Sequence, residues 1–247
     1  MCNDLYAVEK LIEDFRPIFV MEGYAIEDSV IKIRTSTFLL LIYLPQSNRL
    51  AINEDIKVIH LDIDVLNNSY QKVLQRIIGL LGAGKRIYAR QTVVARVDKK
   101  VALDFLEENH LNIPLAGKYR YGLFYQGELV SIAVFSGARI MHAIAENYRS
   151  FELLRFCHKS NYLVIGGISK LIKAFVKEFS PHDIMTYADR DWSQVSSLEN
   201  IGFKAESITR EQVFYVRNGK RLVNIASADP YDYCIKNKGS IKLKLYL

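Results

Sequence analysis

Two adjacent glycines, Gly166 and Gly167, constrain the fold of this chain more than any other feature of its sequence. They stand between an extended segment and a helix predicted over residues 169–179, which places its apolar residues on one face and three lysines on the other. Paired glycines let a backbone adopt positive φ and approach a neighbour closely. The sequence therefore predicts a strand, a tight turn and a helix in immediate succession.

The start of that helix is a predicted anion site. The first turn of a helix has N–H groups without intrahelical partners and carries a partial positive charge. A cation at this end is unfavourable unless an anion lies nearby, and Lys170 is such a cation. We expect a phosphate to bind through Val164, Gly166, Gly167, Ile168, Ser169 and Lys170. The alternative is that the glycines make only a tight connection between strand and helix.

The elements around the turn follow a definite order. A helix is predicted at residues 99–109, and two strands at 121–125 and 128–135 are joined by Gln126-Gly127, a hairpin by residue type. Further strands are predicted at 151–157 and 183–188, a short helix at 193–200 that Gly202 ends, and two closing strands at 203–208 and 212–216.

The N-terminal part mixes helices and strands. Helices are predicted at residues 4–15 and 70–81, and extended segments at 17–21, 30–34, 37–44, 57–64 and 85–97. The strand 57–64 places Asp62 and Asp64 on one face. We therefore divide the chain into an N-terminal α+β domain (1–90), a second domain (91–216) and a tail (217–247).

The positive charge is concentrated after residue 90. Residues 1–90 hold 11 basic and 11 acidic residues, so the remainder supplies the whole net charge of +6. The tail 217–247 alone has 7 basic and 2 acidic residues. A basic surface attracts polyanions, so nucleic acid is a predicted partner of this basic tail. The alternative is that the charge serves only solubility.

Several classes of protein are not expected. The longest apolar run, residues 38–44, is too short to span a bilayer, and the first residues do not have the pattern of a secretory signal. The three cysteines form no CxxC pair, and the five histidines have no metal-ligand spacing. We expect a cytoplasmic protein without a metal or a membrane partner, and a homodimer is compatible with the sequence.

The order of elements from residue 99 to 216 resembles the GNAT superfamily of acyl-CoA N-acyltransferases. The resemblance implies an α/β fold, with a GNAT-like mixed central sheet flanked by helices and a small α+β N-terminal domain before it. It also implies that the glycine turn holds the pyrophosphate of acetyl-CoA or another acyl-CoA. The preceding strand would pair with the pantetheine arm around Phe156 and Cys157, and an unidentified amine would accept the acyl group.

The string Leu198-Glu199-Asn200-Ile201-Gly202-Phe203 carries part of this resemblance. Its Gly-Phe ending matches the family, but Leu198 stands where the family has a tyrosine that often serves as general acid. Leucine cannot donate a proton. The glycines are also adjacent, without the Gln or Arg that usually opens the family's loop. Catalysis by the chain is therefore left open.

The resemblance and the residue types together give three catalytic candidates. Glu152, on the strand before the turn, would be the general base. Tyr187 could donate a proton, and Asp189 follows a strand at the edge where sites form in open sheets. The alternatives are a surface glutamate, a core aromatic residue and a turn cap, respectively. Cys157 is better explained as a small apolar residue than as a nucleophile.

A second resemblance is to phage and mobile-element proteins of the homing-endonuclease-like kind. It rests on the strings at residues 57–62, 85–90, 105–110 and 187–193 (Tyr-Ala-Asp-Arg-Asp-Trp-Ser). It implies a nuclease-like core before the GNAT-like part, and residues 1–90 are then either a degenerate remnant of that core or unrelated to it. The alternative function is therefore a non-catalytic, nucleic-acid-associated module.

Overall fold

The computed structural model describes residues 2–52, 54–192, 198–222 and 230–247, and it divides into two compact units. The first unit comprises Met1–Leu74, Ala188–Ser196 and Ser207–Ile241. The second unit comprises Gln75–Tyr187, Ser197–Glu206 and Lys242–Leu247. Each unit draws on separate stretches of chain, so both predicted domain boundaries, after residues 90 and 216, fall inside a unit.

A four-stranded sheet in the order β1-β2-β3-β4 forms the centre of the first unit. Its strands are β1 (Met21–Glu27), β2 (Val30–Thr35), β3 (Phe38–Tyr43) and β4 (Lys57–Asp62). The first three run antiparallel, and β4 is parallel to β3. Helix α1 (Cys2–Phe15) precedes the sheet, and α2 (Ile63–Asn68) and α3 (Tyr70–Leu80) follow it.

The apolar run in β3 forms the core of this sheet. All six residues of β3 are buried, as expected for a strand covered on both faces. Helix α1 contributes Phe15, whose ring lies edge-on to Phe38 with the ring centroids 5.7 Å apart. Phe19 packs on Phe38 in the same way at 5.1 Å. The predicted strand at 37–44 and helix at 4–15 are confirmed.

Two of the N-terminal predictions were wrong in their limits. The strand predicted at residues 57–64 ends at Asp62, and Asp64 lies in the first turn of α2. An acidic side chain is favourable there, since it faces the positive end of the helix. The segment 17–19 continues the last turn of α1, with the N–H of Phe19 donating to the carbonyl of Phe15, so β1 begins only at Met21.

A mixed eight-stranded sheet dominates the second unit, in the order β13-β17-β12-β10-β8-β7-β6 with β9 paired to β10. Strand β10 is antiparallel to β8 and parallel to β12. The strands of this sheet are β6 (Val93–Arg96), β7 (Tyr119–Tyr125), β8 (Glu128–Phe135), β9 (Arg139–Ile140), β10 (Arg149–His158), β12 (Asp183–Asp189), β13 (Lys204–Ile208) and β17 (Ser240–Tyr246).

Helices cover both faces of this sheet. Val134 of β8 belongs to a buried cluster with Ala102, Phe105 and Leu106 of α4 (Lys99–Asn109). The next residue, Phe135, points to the opposite face, where its ring stacks on Phe175 of α5 (Gly167–Phe179) with centroids 4.0 Å apart. The predicted mixed α/β fold, with a mixed central sheet flanked by helices, is confirmed.

The remaining strands form two small sheets. In the second unit, β5 (Lys85–Tyr88) pairs in parallel with β11 (Tyr162–Ile165). In the first unit, β14 (Val213–Arg217) lies between β15 (Lys220–Arg221) and β16 (Tyr233–Lys236). The predicted pairing of segments 203–208 and 212–216 as closing strands was therefore wrong. Strand β13 pairs with β17, whose alternating apolar residues include the buried Leu243.

The short helix predicted at residues 193–200 falls largely on residues 193–197, which lie outside the described residues. The part that follows forms a 3₁₀ turn, Glu199–Ile201, and Gly202 ends it at φ +99°. Among the helices of the described chain, none has the length and apolar character needed to cross a membrane.

Candidate functional site

The two glycines at the start of α5 serve different purposes. Gly166 has φ +75° and ψ 8°, a left-handed conformation that glycine adopts without strain, and it caps the helix. Gly167 is buried, and a Cβ there would lie 3.2 Å from atoms of Leu123 and of Val164. The left-handed backbone favours glycine at position 166, and the close neighbours favour it at position 167.

The N-terminus of α5 has the electrostatic character of an anion site. The helix has 13 residues, and no acidic side chain occupies its first turn. The N–H groups of Gly167, Ile168 and Ser169 belong to the first turn and have no intrahelical acceptor. Gly166 is exposed, so the positive end of the helix is accessible beside it.

Lys170 is engaged with protein carbonyls. Its Nζ donates to the carbonyl of Ala89 at 2.8 Å and to the carbonyl of Thr92. Ala89 begins a 3₁₀ turn, Ala89–Gln91, and Thr92 follows it; the carbonyl of Ala89 also accepts the N–H of Thr92 at 3.1 Å. The side chain thus fastens α5 to that turn. Its role as a phosphate ligand stays a prediction.

Strand β10 diverges from β12 near its middle. Their parallel pairing covers only Ser150 to Glu152, and the hydroxyl of Thr186 on β12 donates to the carbonyl of Leu153 at 2.8 Å. The register of β10 on β8 shifts between Leu153 and Arg155, which is a β-bulge at Leu154. The second half of β10 is therefore paired with β8 and not with β12.

The backbone groups of Phe156 face away from β8, toward the side of β10 where β12 no longer pairs with it. The N–H of Lys159 donates to the carbonyl of Val130 on the β8 side at 2.9 Å. Because backbone groups alternate in direction along an antiparallel strand, those of Cys157 also face β8, and those of Phe156 and His158 face away from it. The pairing of Phe156 and Cys157 with pantetheine stays a prediction; the backbone groups of Phe156 point away from β8 and those of Cys157 point toward it.

The side chains of Cys157 and His158 are uncharged at neutral pH. Cys157 packs against the cluster under α4, and burial raises the pKa of its thiol to about 12. Burial lowers the pKa of His158 to about 4, and its Nδ1 lies 3.0 Å from the hydroxyl of Ser131. Cys157 therefore has the properties of an apolar residue, and a thiolate nucleophile is not available there.

Two of the three catalytic candidates share one face of the sheet. Glu152 is paired with Met185 across the parallel strands, and Tyr187 follows two residues later on β12. Residues two apart on a strand point the same way, so Glu152 and Tyr187 both lie on the face opposite Phe151 and α5. Arg155 is close enough to Glu152 for their charges to interact. The phenol side chain of Tyr187 is 47% exposed.

Asp189 belongs to the first unit and has a local partner. Its carboxylate accepts the N–H of Asp191 at 2.9 Å, and its carbonyl accepts the N–H of Trp192. This is an Asx-type turn, which orders the chain after β12. Its catalytic role stays a prediction.

The structure places a segment beside the glycine turn that the sequence did not single out for this site. Tyr88 is paired with Ile165, and a Cβ at Gly166 would lie 3.7 Å from the Cβ of Ala89. Tyr88 and Arg90 flank Ala89, both are exposed, and the guanidinium of Arg90 lies 5.1 Å from the centre of the Tyr88 ring. No local signal could reveal this contact, since 73 residues (89–161) separate the paired segments.

Asp62 and Asp64 of the first unit form ion pairs with arginines. The carboxylate of Asp62 accepts from Arg49 at 2.5 Å and from Arg221 at 2.7 Å, and Asp64 accepts from Arg221 at 2.7 Å. Both aspartates are buried. Within the described parts of the chain, no three His, Cys, Asp or Glu side chains converge as ligands of a metal would.

Comparison with known proteins gives only distant structural similarity. No protein-family model and no curated protein sequence matches the chain. A GNAT family acetyltransferase from Elizabethkingia anophelis with acetyl-CoA bound is 12% identical, with a TM-score of 0.39, over 64% of this chain and 99% of that one. The IAA acetyltransferase from Bacillus cereus is 16% identical, with a TM-score of 0.36, over 63% of this chain and 99% of that one.

Arabidopsis thaliana Naa50, in complex with the bisubstrate analogue CoA-Ac-MVNAL, is 10% identical, with a TM-score of 0.42, over 64% of this chain and 99% of that one. A similarity of this degree carries no functional argument for this chain.

Proposed function

We propose that the second unit is a GNAT-type domain that transfers an acyl group from an acyl-CoA to an amine. The observation that carries the proposal is the divergence of β10 from β12 after Glu152. It leaves backbone groups of β10 without a strand partner, on the strand that leads through β11 to the start of α5. An extended arm with amide groups could hydrogen-bond to that edge as an added strand does.

Acyl-CoA has the two features that this arrangement would bind. Its pantetheine arm carries amides for the edge at Phe156 and His158. Its pyrophosphate would lie at the first turn of α5, where Gly166 has no side chain and the helix has no acidic residue. Arg90, held against Tyr88, would supply the cation that the glycine loop itself does not contain.

When acyl-CoA is bound, its thioester supplies the acyl group: the amine forms an N–C bond to the carbonyl carbon, and the C–S bond breaks. We assign Glu152 as the base that takes the proton from the amine, directly or through a water. Leu198 cannot protonate the leaving sulfur. A free thiol has a pKa of about 8.5, so the sulfur of CoA can leave as the thiolate. Tyr187, on the same face as Glu152, would then donate a proton to that thiolate.

The proposal is tested first by isothermal calorimetry with CoA and acetyl-CoA. We expect binding with a dissociation constant in the micromolar range, and a melting temperature that rises with ligand concentration by mass action. No binding at millimolar CoA would contradict the proposal.

The transfer itself is measured as release of free CoA thiol with a panel of small amines and peptides. The variant Glu152→Gln should bind CoA as the wild type does but lose about 100-fold or more in rate. Glu146→Gln, at an exposed glutamate of the same unit, is the matched control and should leave the rate unchanged. Equal rates in all three proteins would refute the role of Glu152.

A further inference from the structure

The first unit contains an open groove of about 510 Å³ that the acyltransferase proposal does not use. Four of the seven residues lining it are cationic and only one is acidic. The lining residues are Arg190, Thr209, Arg210, Glu211, Val213, Lys236 and Lys238. The groove therefore carries an excess of positive charge on its walls.

Hydrogen bonds hold the groove's three chain segments together. The N–H of Arg190 donates to the carbonyl of Gly239 at 3.1 Å, and its guanidinium donates to the carbonyl of Lys238 at 2.8 Å. The buried Asn237 accepts the N–H groups of Gln212 at 2.7 Å and of Gly239 at 2.9 Å. These bonds hold in place the backbone segments that carry the cationic side chains.

Gly239 allows the segments to approach so closely. It has φ +73°, and a Cβ there would lie 2.5 Å from the carbonyl oxygen of Thr209 and 2.8 Å from that of Arg210. Any other residue would therefore push the segment of Arg210 away from that of Lys238. The walls of the groove can therefore meet as they do only with glycine at position 239.

Within the described residues, none of the four cations of the groove forms an ion pair with a carboxylate. Burial lowers the pKa of Lys238, and the charges of Arg190 and Arg49 lower it further, while Asp191 opposes them. The Nζ of Lys238 lies 3.3 Å from Nε2 of His60, a ring kept neutral by burial. Arg210 and Lys236 are exposed at the mouth of the groove. Such a grouping of like charges is unfavourable unless an anion joins it.

We propose that this groove binds a phosphate-bearing ligand of nucleotide size. Guanidinium and ammonium groups are the usual partners of phosphate oxygens. The volume lies within the range of about 300–1,000 Å³ typical of small-molecule sites. Thr209 and Val213 would contact the uncharged part of the ligand, and Glu211 would accept from its hydroxyl or amino groups. The phosphate could belong to a free nucleotide or to a nucleic-acid strand.

The test uses the full-length protein and three probes: ATP, inorganic pyrophosphate and a fluorescent single-stranded oligonucleotide. The double variant Arg210→Ala/Lys236→Ala removes two exposed cations of the groove, so the fold should be retained, as its melting temperature would show. The matched control, Arg217→Ala/Lys220→Ala, removes two exposed cations of the neighbouring β14–β15 hairpin that do not line the groove.

We expect the groove variant to raise the dissociation constant for at least one probe about 10-fold or more, and the control to change it less than about 2-fold. Binding of ATP or pyrophosphate would identify a free phosphate compound as the ligand, and binding of the oligonucleotide alone would identify a strand. Equal losses in both double variants would show a diffuse charge effect and overturn the proposal. So would the absence of binding by the wild type to all three probes at millimolar concentration.

Discussion

At the scale of single residues, Gly166 and Gly167 illustrate how one amino-acid type answers two different demands. Gly166 provides a left-handed backbone at the cap of α5, and Gly167 provides space beside Leu123 and Val164. Aspartate tolerates a left-handed conformation better than most residues, and its carboxylate is favourable at a helix N-terminus. Substitution at Gly166 can therefore separate folding from anion binding.

We predict that Gly166→Asp keeps the fold, at a cost in stability from its left-handed backbone, but binds CoA about 10-fold or more weakly, because its carboxylate occupies the place proposed for the pyrophosphate and repels it. Thermal denaturation and calorimetry with CoA measure the two effects. Gly82→Asp is the matched control, since Gly82 also has φ +75° and lies in the second unit. Unchanged CoA affinity in Gly166→Asp would contradict the site at α5.

A second prediction at the scale of residues concerns Lys170. Replacing it by methionine removes one donor to the carbonyl of Ala89, which still accepts from Thr92, and the side-chain donor to the carbonyl of Thr92. We expect Lys170→Met to lower the free energy of unfolding by about 1–3 kcal/mol, as measured by urea denaturation. Lys173→Met, at an exposed lysine on the same helix, should change it by less than about 0.5 kcal/mol. Equal stability of both variants would refute the role of Lys170 as a fastening residue.

At the scale of elements, β17 provides the strand between β12 and β13. Leu243, on β17, is 1% exposed, while Val213, on the segment that the sequence suggested as the partner of β13, is 43% exposed. We predict that Leu243→Ala lowers the free energy of unfolding by about 2–5 kcal/mol through loss of apolar burial and the cavity left behind. Urea denaturation measures this loss.

Val213→Ala serves as the comparison for Leu243→Ala. It removes fewer atoms from a side chain that is partly in water, and we expect a loss below about 0.5 kcal/mol. If Val213→Ala were the more damaging change, the pairing of β13 with β17 would be wrong and the pairing suggested by the sequence would be restored.

The elements that local signals specify were predicted well. The β7–β8 hairpin turns at Gln126-Gly127, both at positive φ, and α5 follows its apolar periodicity. The pairings of β5 with β11 and of β13 with β17 were not predicted, because they join segments that lie far apart in the chain and have no turn between them. For the same reason the glycine turn was found from the sequence, but Tyr88 and Arg90 beside it were not.

At the scale of the whole molecule, a buried ionic cluster joins all three segments of the first unit. Arg49 contacts Asp62 and Asp191, and Arg221 contacts Asp62 and Asp64. His60 lies in the same region, its N–H donating to the carbonyl of Asp191 at 2.8 Å. The integrity of the first unit therefore depends on the charge state of groups that acid can change.

We predict that acid weakens the protein partly through His60. Burial, with Lys238 and Arg49, lowers the pKa of folded His60 to about 3, whereas an unfolded histidine has a pKa of about 6.5. Below about pH 6.5 the unfolded chain therefore binds a proton that the folded chain does not, and stability falls with decreasing pH. The contribution of His60 to this slope approaches about 1.4 kcal/mol per pH unit between about pH 5.5 and 4, and urea denaturation of the wild type and of a His60 variant across this range measures it.

The ring Nδ1 of His60 lies 2.7 Å from the hydroxyl of Tyr43. The variant His60→Gln should have a shallower slope over this range, since it removes the proton uptake of the unfolded state while its amide can still hydrogen-bond to Tyr43. His142→Gln, at an exposed histidine, should have the slope of the wild type. Identical slopes in all three proteins would show that His60 does not titrate in this way.

The interleaving of the two units along the chain has a consequence for biosynthesis. The first unit needs residues up to Ile241, and the sheet of the second unit needs β17, which ends at Tyr246. Neither unit can reach its full set of contacts until these segments have emerged from the ribosome. The apolar strand β3 therefore emerges long before its unit is complete. Until then the nascent protein exposes an apolar segment to which a chaperone can bind.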